Sequence, residues 1–152
     1  MRAKLVVSTV LAVGALLASQ TAPALADDAI LKAEMTGAAE RPGPGDPDAV
    51  GHADIYIDDD TNMLCVSAFW SNVDGTPSGF HIHLAPPTAP GPIVIPFAVP
   101  PPGSTSTFQC VSVANEALLD NIAANPQQYY INLHTTPLYP AGALRGQLER
   151  AA

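Results

Sequence analysis

Two histidines one residue apart mark the part of this sequence where side chains can do chemistry. His81 and His83 lie in the stretch GFHIHLAPP, inside an otherwise apolar run, and the chain has only four histidines. Alternate side chains of a β-strand point to the same face, so both imidazoles would leave one side of the strand, with Cα atoms ~6.6 Å apart. Such a pair can bind one metal ion at ~2.0–2.1 Å per nitrogen. Two solvated histidines on an outer face are the other interpretation.

A third histidine repeats this arrangement later in the chain. In QQYYINLHTTPLYPAGALRGQL, the side chains of Tyr130, Asn132 and His134 share the face opposite an apolar stripe. If the two strands are neighbours, His134 meets His81 and His83 on one outer patch. Three neutral imidazoles with an open fourth position suit copper or zinc far better than magnesium or calcium. Asn132 can orient a histidine through a hydrogen bond. Because metal binding needs neutral rings, we expect affinity to weaken below about pH 6.5.

Two further residues are candidates with open roles. His52 lies on the polar face of its own predicted strand and is a possible fourth ligand, although nothing in the sequence places that strand beside the other two. Arg145 stands near the end of the last predicted strand, where an ordinary surface charge is one interpretation.

Short strands must position these side chains, because segments of strand length flanked by turn residues dominate the sequence. The segments are 30–36, 50–58, 63–71, 79–84, 93–98, 105–113, 128–135 and 143–149. About eight strands at this spacing predict an all-β fold, an antiparallel and Greek-key-like sandwich or barrel. Within 79–84, the side chains of Phe80, Ile82 and Leu84 are expected to face the core.

One short helix and one proline-rich loop interrupt the strands. Asn115 is a favourable N-cap, and Asn125-Pro126 ends the helix because proline disfavours helix in the preceding residue. Eight prolines between residues 86 and 102 predict an extended loop. The segment 93–98 is therefore expected to be at most an edge strand.

The N-terminal residues have the pattern of a secretory signal peptide. Arg2 and Lys4 precede an apolar run too short to span a bilayer, and residues 24–26 fit the small-x-small rule for cleavage. We therefore predict a signal peptide over 1–26 and a single exported domain over 27–152. No second long apolar run follows, so no membrane insertion is expected.

Charge and cysteine content limit the classes of partner and the compartment. The chain has 14 acidic and 6 basic residues and a net charge of −8. Such a surface repels phosphate backbones and anionic lipids, so nucleic acid is not an expected partner. Cys65 and Cys110 are predicted to form a disulfide in an oxidising compartment, with two buried free thiols as the alternative.

At these motifs the sequence resembles the CHRD domain family, named for repeats in the extracellular protein chordin. The family pattern has a His-x-His strand, a Tyr-x-Asn-x-His-Thr strand, a proline-glycine turn and an Arg-Gly-Gln ending. The matching residues are His81, His83, Tyr130, Asn132, His134, Thr135, Gly142, Arg145, Gly146 and Gln147. The resemblance implies an extracellular all-β module that binds an unidentified protein or small ligand, and it implies little about chemistry.

The stretch GFHIH is also similar to the copper-binding strand of Cu/Zn superoxide dismutases. That family uses a later strand histidine and a C-terminal arginine that guides the anion. The resemblance implies these roles for His134 and Arg145, with a surface charge as the alternative for Arg145. It also needs a bridging histidine and zinc ligands, but no histidine lies between His83 and His134. The leading hypothesis is therefore a secreted CHRD-like binding module with a copper or zinc site. A copper-dependent, superoxide dismutase-like redox enzyme is the alternative.

Overall fold

The computed structural model describes residues 28–151. The predicted signal peptide lies outside the described residues and stays a prediction. Within the described range, no helix is long and apolar enough to cross a membrane.

Antiparallel strands dominate this part of the chain. In chain order they are β1 (Ala29–Thr36), β2 (Val50–Asp58), β3 (Met63–Ser71), β4 (Thr76–Leu84), β5 (Ile93–Pro96), β6 (Ser106–Ser112), β7 (Tyr129–Thr136), β8 (Leu144–Gln147) and β9 (Glu149–Arg150). Eight of them are hydrogen-bonded in the order β5-β4-β7-β8-β1-β2-β3-β6, and β9 pairs with β1. The sheet curls into a half-barrel, which confirms the prediction of an all-β antiparallel fold of about eight strands.

The hydrophobic core fills the concave side of this half-barrel. Apolar residues alternate with polar ones along β1, β2 and β3, so one face of each strand is buried and the other is exposed. The inner face carries most of the fully buried apolar side chains, including Leu31, Met35, Ile55, Ile57, Leu64, Val66, Phe80, Ile82, Ile131, Leu133 and Leu144.

One α-helix, α1 (Glu116–Ala124), packs on this core. Leu119 and Ile122, which are one turn apart, are buried in the core cluster. The helix begins directly after Asn115 and ends before Asn125-Pro126, as the sequence predicts. Two 3-10 turns, Gly37–Ala39 and Pro126–Gln128, complete the helical structure of the described residues.

The two edge strands of the half-barrel, β5 and β6, lie at opposite ends of the strand order. The side chain of Gln109 on β6 accepts a hydrogen bond from Ala98 N at 2.8 Å and donates one to Ala98 O at 2.9 Å, in the segment just after β5. The next residue of β6, Cys110, lies directly opposite Cys65 on β3, and the two form the predicted disulfide.

Three local expectations need correction. The predicted strand 79–84 begins earlier, at Thr76, with an irregular register between Pro77 and Gly79. Leu84 is exposed, because the strand ends there and its side chain lies beyond the core. The predicted strand 143–149 is divided at Leu148, which is buried and donates its N–H to Tyr129 O at 2.9 Å.

Loops cover the convex face of the sheet where β4, β7 and β8 lie side by side. The loop after β4 is held there by Gln147, whose side chain donates to Ala85 O at 2.8 Å. The loop after β1 is held by a hydrogen bond from Asp46 N to Ala143 O at 3.0 Å. As a result, β7 is buried on both faces along most of its length. The candidate site lies in this covered region.

Candidate functional site

The pairing of β4 with β7 brings the three strand histidines together. Gly79 lies opposite His134, and His81 lies opposite Asn132, so His81, His83 and His134 leave the same face of two adjacent strands. Each of the three rings offers one nitrogen, and these nitrogens all lie within 4.8 Å of one another. The fold thus places the two histidine-bearing strands side by side, which the sequence spacing alone could not establish.

Main-chain carbonyls fix the tautomers of two of these rings. His83 Nδ1 lies 2.9 Å from Gly91 O, and His134 Nδ1 lies 3.0 Å from Pro140 O. A carbonyl can only accept a hydrogen bond, so each Nδ1 carries the proton and each Nε2 keeps its lone pair. His83 Nε2, His134 Nε2 and His81 Nδ1 are buried and have no hydrogen-bond partner among the described residues. Two unpartnered lone pairs and a third ring nitrogen without a partner therefore lie in one small region.

The surroundings keep two of these rings neutral. Burial, together with the smaller effects of the nearby His134 and His83, lowers the pKa of His81 to about 4. Burial also lowers the pKa of His83, although its hydrogen bond to Gly91 O opposes this effect. His81 thus stays neutral well below the pH of about 6.5 at which free histidine titrates.

The ligand set fits copper or zinc. Imidazole nitrogen suits both ions, whereas magnesium and calcium need oxygen ligands. Tetrahedral binding at ~2.1 Å requires nitrogens roughly 3.4 Å apart. The three nitrogens lie within 4.8 Å of one another, so binding at that geometry requires the rings to move closer together. His81 and His134 are half-buried and His83 is buried, so the rings form a sheltered pocket rather than a fully open outer wall.

Gly79 makes room for two of the rings, a role that the sequence alone did not reveal. A methyl group at this position would lie 2.6 Å from His81 Cε1 and 3.3 Å from His134 Cδ2. The signal was available, because Gly79 precedes His81 by two residues and must share its face of the strand. The absence of a side chain at Gly79 thus leaves room for both imidazoles at their observed positions.

Tyr130 and Arg145 form a stack against the His83 ring. The His83 ring stacks on Tyr130 with 4.7 Å between centroids, and Arg145 Cζ lies 3.5 Å from the Tyr130 centroid. Arg145 is only 1% exposed, so it is not a surface charge. Its guanidinium donates to Ala89 O and Pro86 O, both at 2.9 Å, and thereby holds the covering loop.

Asn132 and Glu40 form a second buried polar group behind the histidines. Asn132 is 2% exposed, and its amide contacts both His83 and the Glu40 carboxyl. Glu40, from the loop after β1, is 3% exposed, and burial raises its pKa to about 7 although Arg145 and Asn132 lower it. The sequence reasoning missed Glu40, since a carboxylate in a proline- and glycine-rich loop is normally solvated.

His52 does not join the site. It lies on β2, which is separated from β7 by β8 and β1. Its ring makes hydrogen bonds to Glu34 at 2.8 Å and to Asp54 at 3.0 Å, and it stacks on Phe69. Both ring nitrogens are therefore already engaged on another part of the sheet.

Comparison with known proteins identifies the family. The family model of the CHRD domain matches residues 31–148, which include β1 from Leu31 onward, all of β2 to β8 and the three histidines of the site. No curated protein and no solved structure matches the chain. Because the family model spans most of the chain, the protein belongs to the CHRD domain family.

Proposed function

We propose that this protein is a secreted CHRD-domain binding module that holds one copper or zinc ion at His81, His83 and His134. The observation that carries the proposal is the set of three buried ring nitrogens without hydrogen-bond partners among the described residues, one from each histidine. Buried polar atoms are normally satisfied, so three ring nitrogens without partners in one place favour a shared metal cation as their partner. A metal ion satisfies all three at once.

Several features support secretion. The predicted signal peptide, the Cys65–Cys110 disulfide and the family all agree with export to an oxidising compartment. An ion with three protein ligands retains an open coordination position. The partner of the module is an extracellular protein or small ligand, and a donor atom of that partner can occupy this position.

Calorimetric titration of the metal-free protein with copper(II) and with zinc tests the site. We expect one tight site per chain for at least one of the two ions. His134→Ala should weaken binding about as heavily as His81→Ala, because the two rings contribute equivalent ligands from different strands. Replacing His52, whose ring is engaged by Glu34 and Asp54, should leave the affinity unchanged. If neither ion binds, or if His134→Ala binds as wild type does, the cluster is not a metal site.

A copper-dependent redox enzyme is the second candidate, since a three-histidine copper site with an open position can also bind a small oxidant. Arg145 is not free to guide an anion, because its guanidinium is engaged by the covering loop. A superoxide assay of copper-loaded protein separates the candidates. Rapid superoxide removal that His134→Ala abolishes would favour the enzyme, and a rate no higher than that of the metal-free protein would favour the binding module.

A further inference from the structure

We propose that Glu40 is a positioning residue of the three-histidine site: its buried carboxylate holds Asn132 against His83 and supplies the negative charge that compensates a bound cation. The inference rests on the proposed metal site and goes beyond it. The ligand set itself is neutral, so a divalent cation bound there would bring two uncompensated positive charges into a sheltered pocket. A nearby carboxylate removes much of that cost.

The fold makes a specific place for the Glu40 carboxyl. Gly142, between β7 and β8, has a φ of 142°, in the region that favours glycine. A methyl group on Gly142 would collide with the Glu40 carboxyl. The backbone of this turn is therefore closed over the carboxyl, and Glu40 Oε1 is buried without a hydrogen-bond partner among the described residues. An ordinary loop glutamate would point to solvent and would need no such room.

The connection to the histidines runs through one side chain. The Asn132 amide lies near both the Glu40 carboxyl and the His83 ring, and it influences the pKa of each. Asn132 Oδ1 and Glu40 Oε1 are both buried without a hydrogen-bond partner among the described residues. Asn132 lies opposite His81 on β4 and opposite Arg145 on β8, at the centre of the covered region. Carboxylates that orient metal ligands through hydrogen bonds commonly change metal affinity by ~10–100-fold. Glu40 is placed to act in this way indirectly, through Asn132.

Without a metal, the groups that face Glu40 only partly stabilise the negative charge of its carboxylate. Burial raises its pKa to about 7, and Arg145 from β8, Asn132 from β7 and Arg41 from its own loop only partly oppose this. Arg145 makes no direct ion pair with Glu40, because its guanidinium donates to loop carbonyls and to Gln147. A cation at the histidines would favour the ionised carboxylate, so metal binding and the loss of the Glu40 proton should be coupled.

Calorimetric titration of the full mature chain with zinc and with copper(II) tests this coupling. Run at pH 6 in two buffers of different ionisation enthalpy, it reports the protons released on binding. We expect Glu40→Gln to weaken binding about tenfold at pH 8. The loss should be smaller at pH 5.5, where binding to the wild type must first remove the Glu40 proton. At pH 6, Glu40→Gln should release nearly one proton fewer than the wild type.

Two further variants make the test specific. Asp46→Asn changes a fully buried carboxylate of the same loop, one that accepts a hydrogen bond from Asp74 N. This variant should leave affinity and proton release unchanged. In Asn132→Ala, adding Glu40→Gln should cause less further loss than it does in the wild type. Equal affinity and proton release in wild type and Glu40→Gln would overturn the inference. An equal loss in Asp46→Asn would also overturn it. Absence of any binding to the wild type would instead refute the metal site.

Discussion

The site is marked by individual buried polar atoms that have no hydrogen-bond partner. Seven side-chain atoms are buried without partners among the described residues, and five of them lie in or next to this site: the three histidine nitrogens, Asn132 Oδ1 and Glu40 Oε1. Leaving a buried polar atom unpaired costs about 1–3 kcal/mol. Such atoms are rare in folded proteins, and their concentration in one covered region is typical of a functional site rather than of a structural one.

Glu40 itself should make the metal-free protein less stable as the pH rises. Its pKa is about 7 in the folded chain and 4.5 in the reference state, so the folded state holds the proton between these values and the unfolded state does not. The free energy of unfolding therefore falls as the pH rises from 4.5 to 7. The change is about 3 kcal/mol, at 1.36 kcal/mol for each pKa unit. Glu40→Gln should lack this decline.

Urea unfolding of both proteins in the presence of a chelator, at several pH values from 4.5 to 8, measures this difference. The stability advantage of Glu40→Gln over the wild type should grow with pH and level off above 7. Parallel stability curves for the two proteins would show that the Glu40 carboxyl is not held in the neutral form.

At the level of secondary-structure elements, the site depends on the register of β4 and β7. Gly79 lies directly opposite His134, and the shift of register just before it places the two strands so that the His81 and His134 rings meet, with centroids 5.2 Å apart. A side chain at position 79 would occupy the space between them. The glycine is thus needed to make room for the histidine rings and not to form a turn.

Gly79→Ala should therefore weaken metal binding by tenfold or more while the chain still folds. The added methyl group would lie 2.6 Å from His81 Cε1, so the ring must leave its position. Overpacking of this kind typically costs about 1–3 kcal/mol of stability. Calorimetric titration gives the affinity and thermal unfolding gives the stability. Ser78→Ala, at the adjacent exposed position, should change neither. Unchanged affinity in Gly79→Ala would place the metal ligands elsewhere.

At the scale of the whole molecule, the half-barrel has a site side and a disulfide side. β4 and β7 lie near one end of the strand order, whereas β3 and β6 lie at the other. The disulfide ties the edge strand β6 to its neighbour and closes a segment of 45 residues that includes β4 and β5. Stability and metal binding should therefore respond separately to changes on the two sides.

The double variant Cys65→Ser/Cys110→Ser tests this separation. Removal of a native disulfide typically lowers the free energy of unfolding by about 2–5 kcal/mol. We expect a loss in that range by urea unfolding, with metal affinity within twofold of the wild type at a temperature where the variant is folded. Loss of the metal site in a folded variant would show that the disulfide also sets the pairing of β4 with β7.

The sequence by itself determined the features that depend on neighbouring residues. Period-two alternation in β2 and β4 gives the strand type and the face of each histidine, because successive side chains of an extended chain must point in opposite directions. Asn115 and Asn125-Pro126 mark the ends of α1 for reasons of local backbone geometry. The CHRD motifs indicated the family, and two cysteines in a chain with a predicted signal peptide indicated the disulfide.

Only the tertiary structure decided which strands are neighbours and what covers them. The chain from β4 to β7 passes through β5, β6 and α1, and the main-chain hydrogen bonds that join β4 to β7 are available to every strand. Local pattern therefore could not place His134 beside His81, nor exclude His52. The burial of Glu40 and Arg145 likewise comes from loops folding over β7 and β8, contacts between residues far apart in sequence. From sequence alone a charged side chain is expected to be solvated, and only the tertiary structure shows that it is buried.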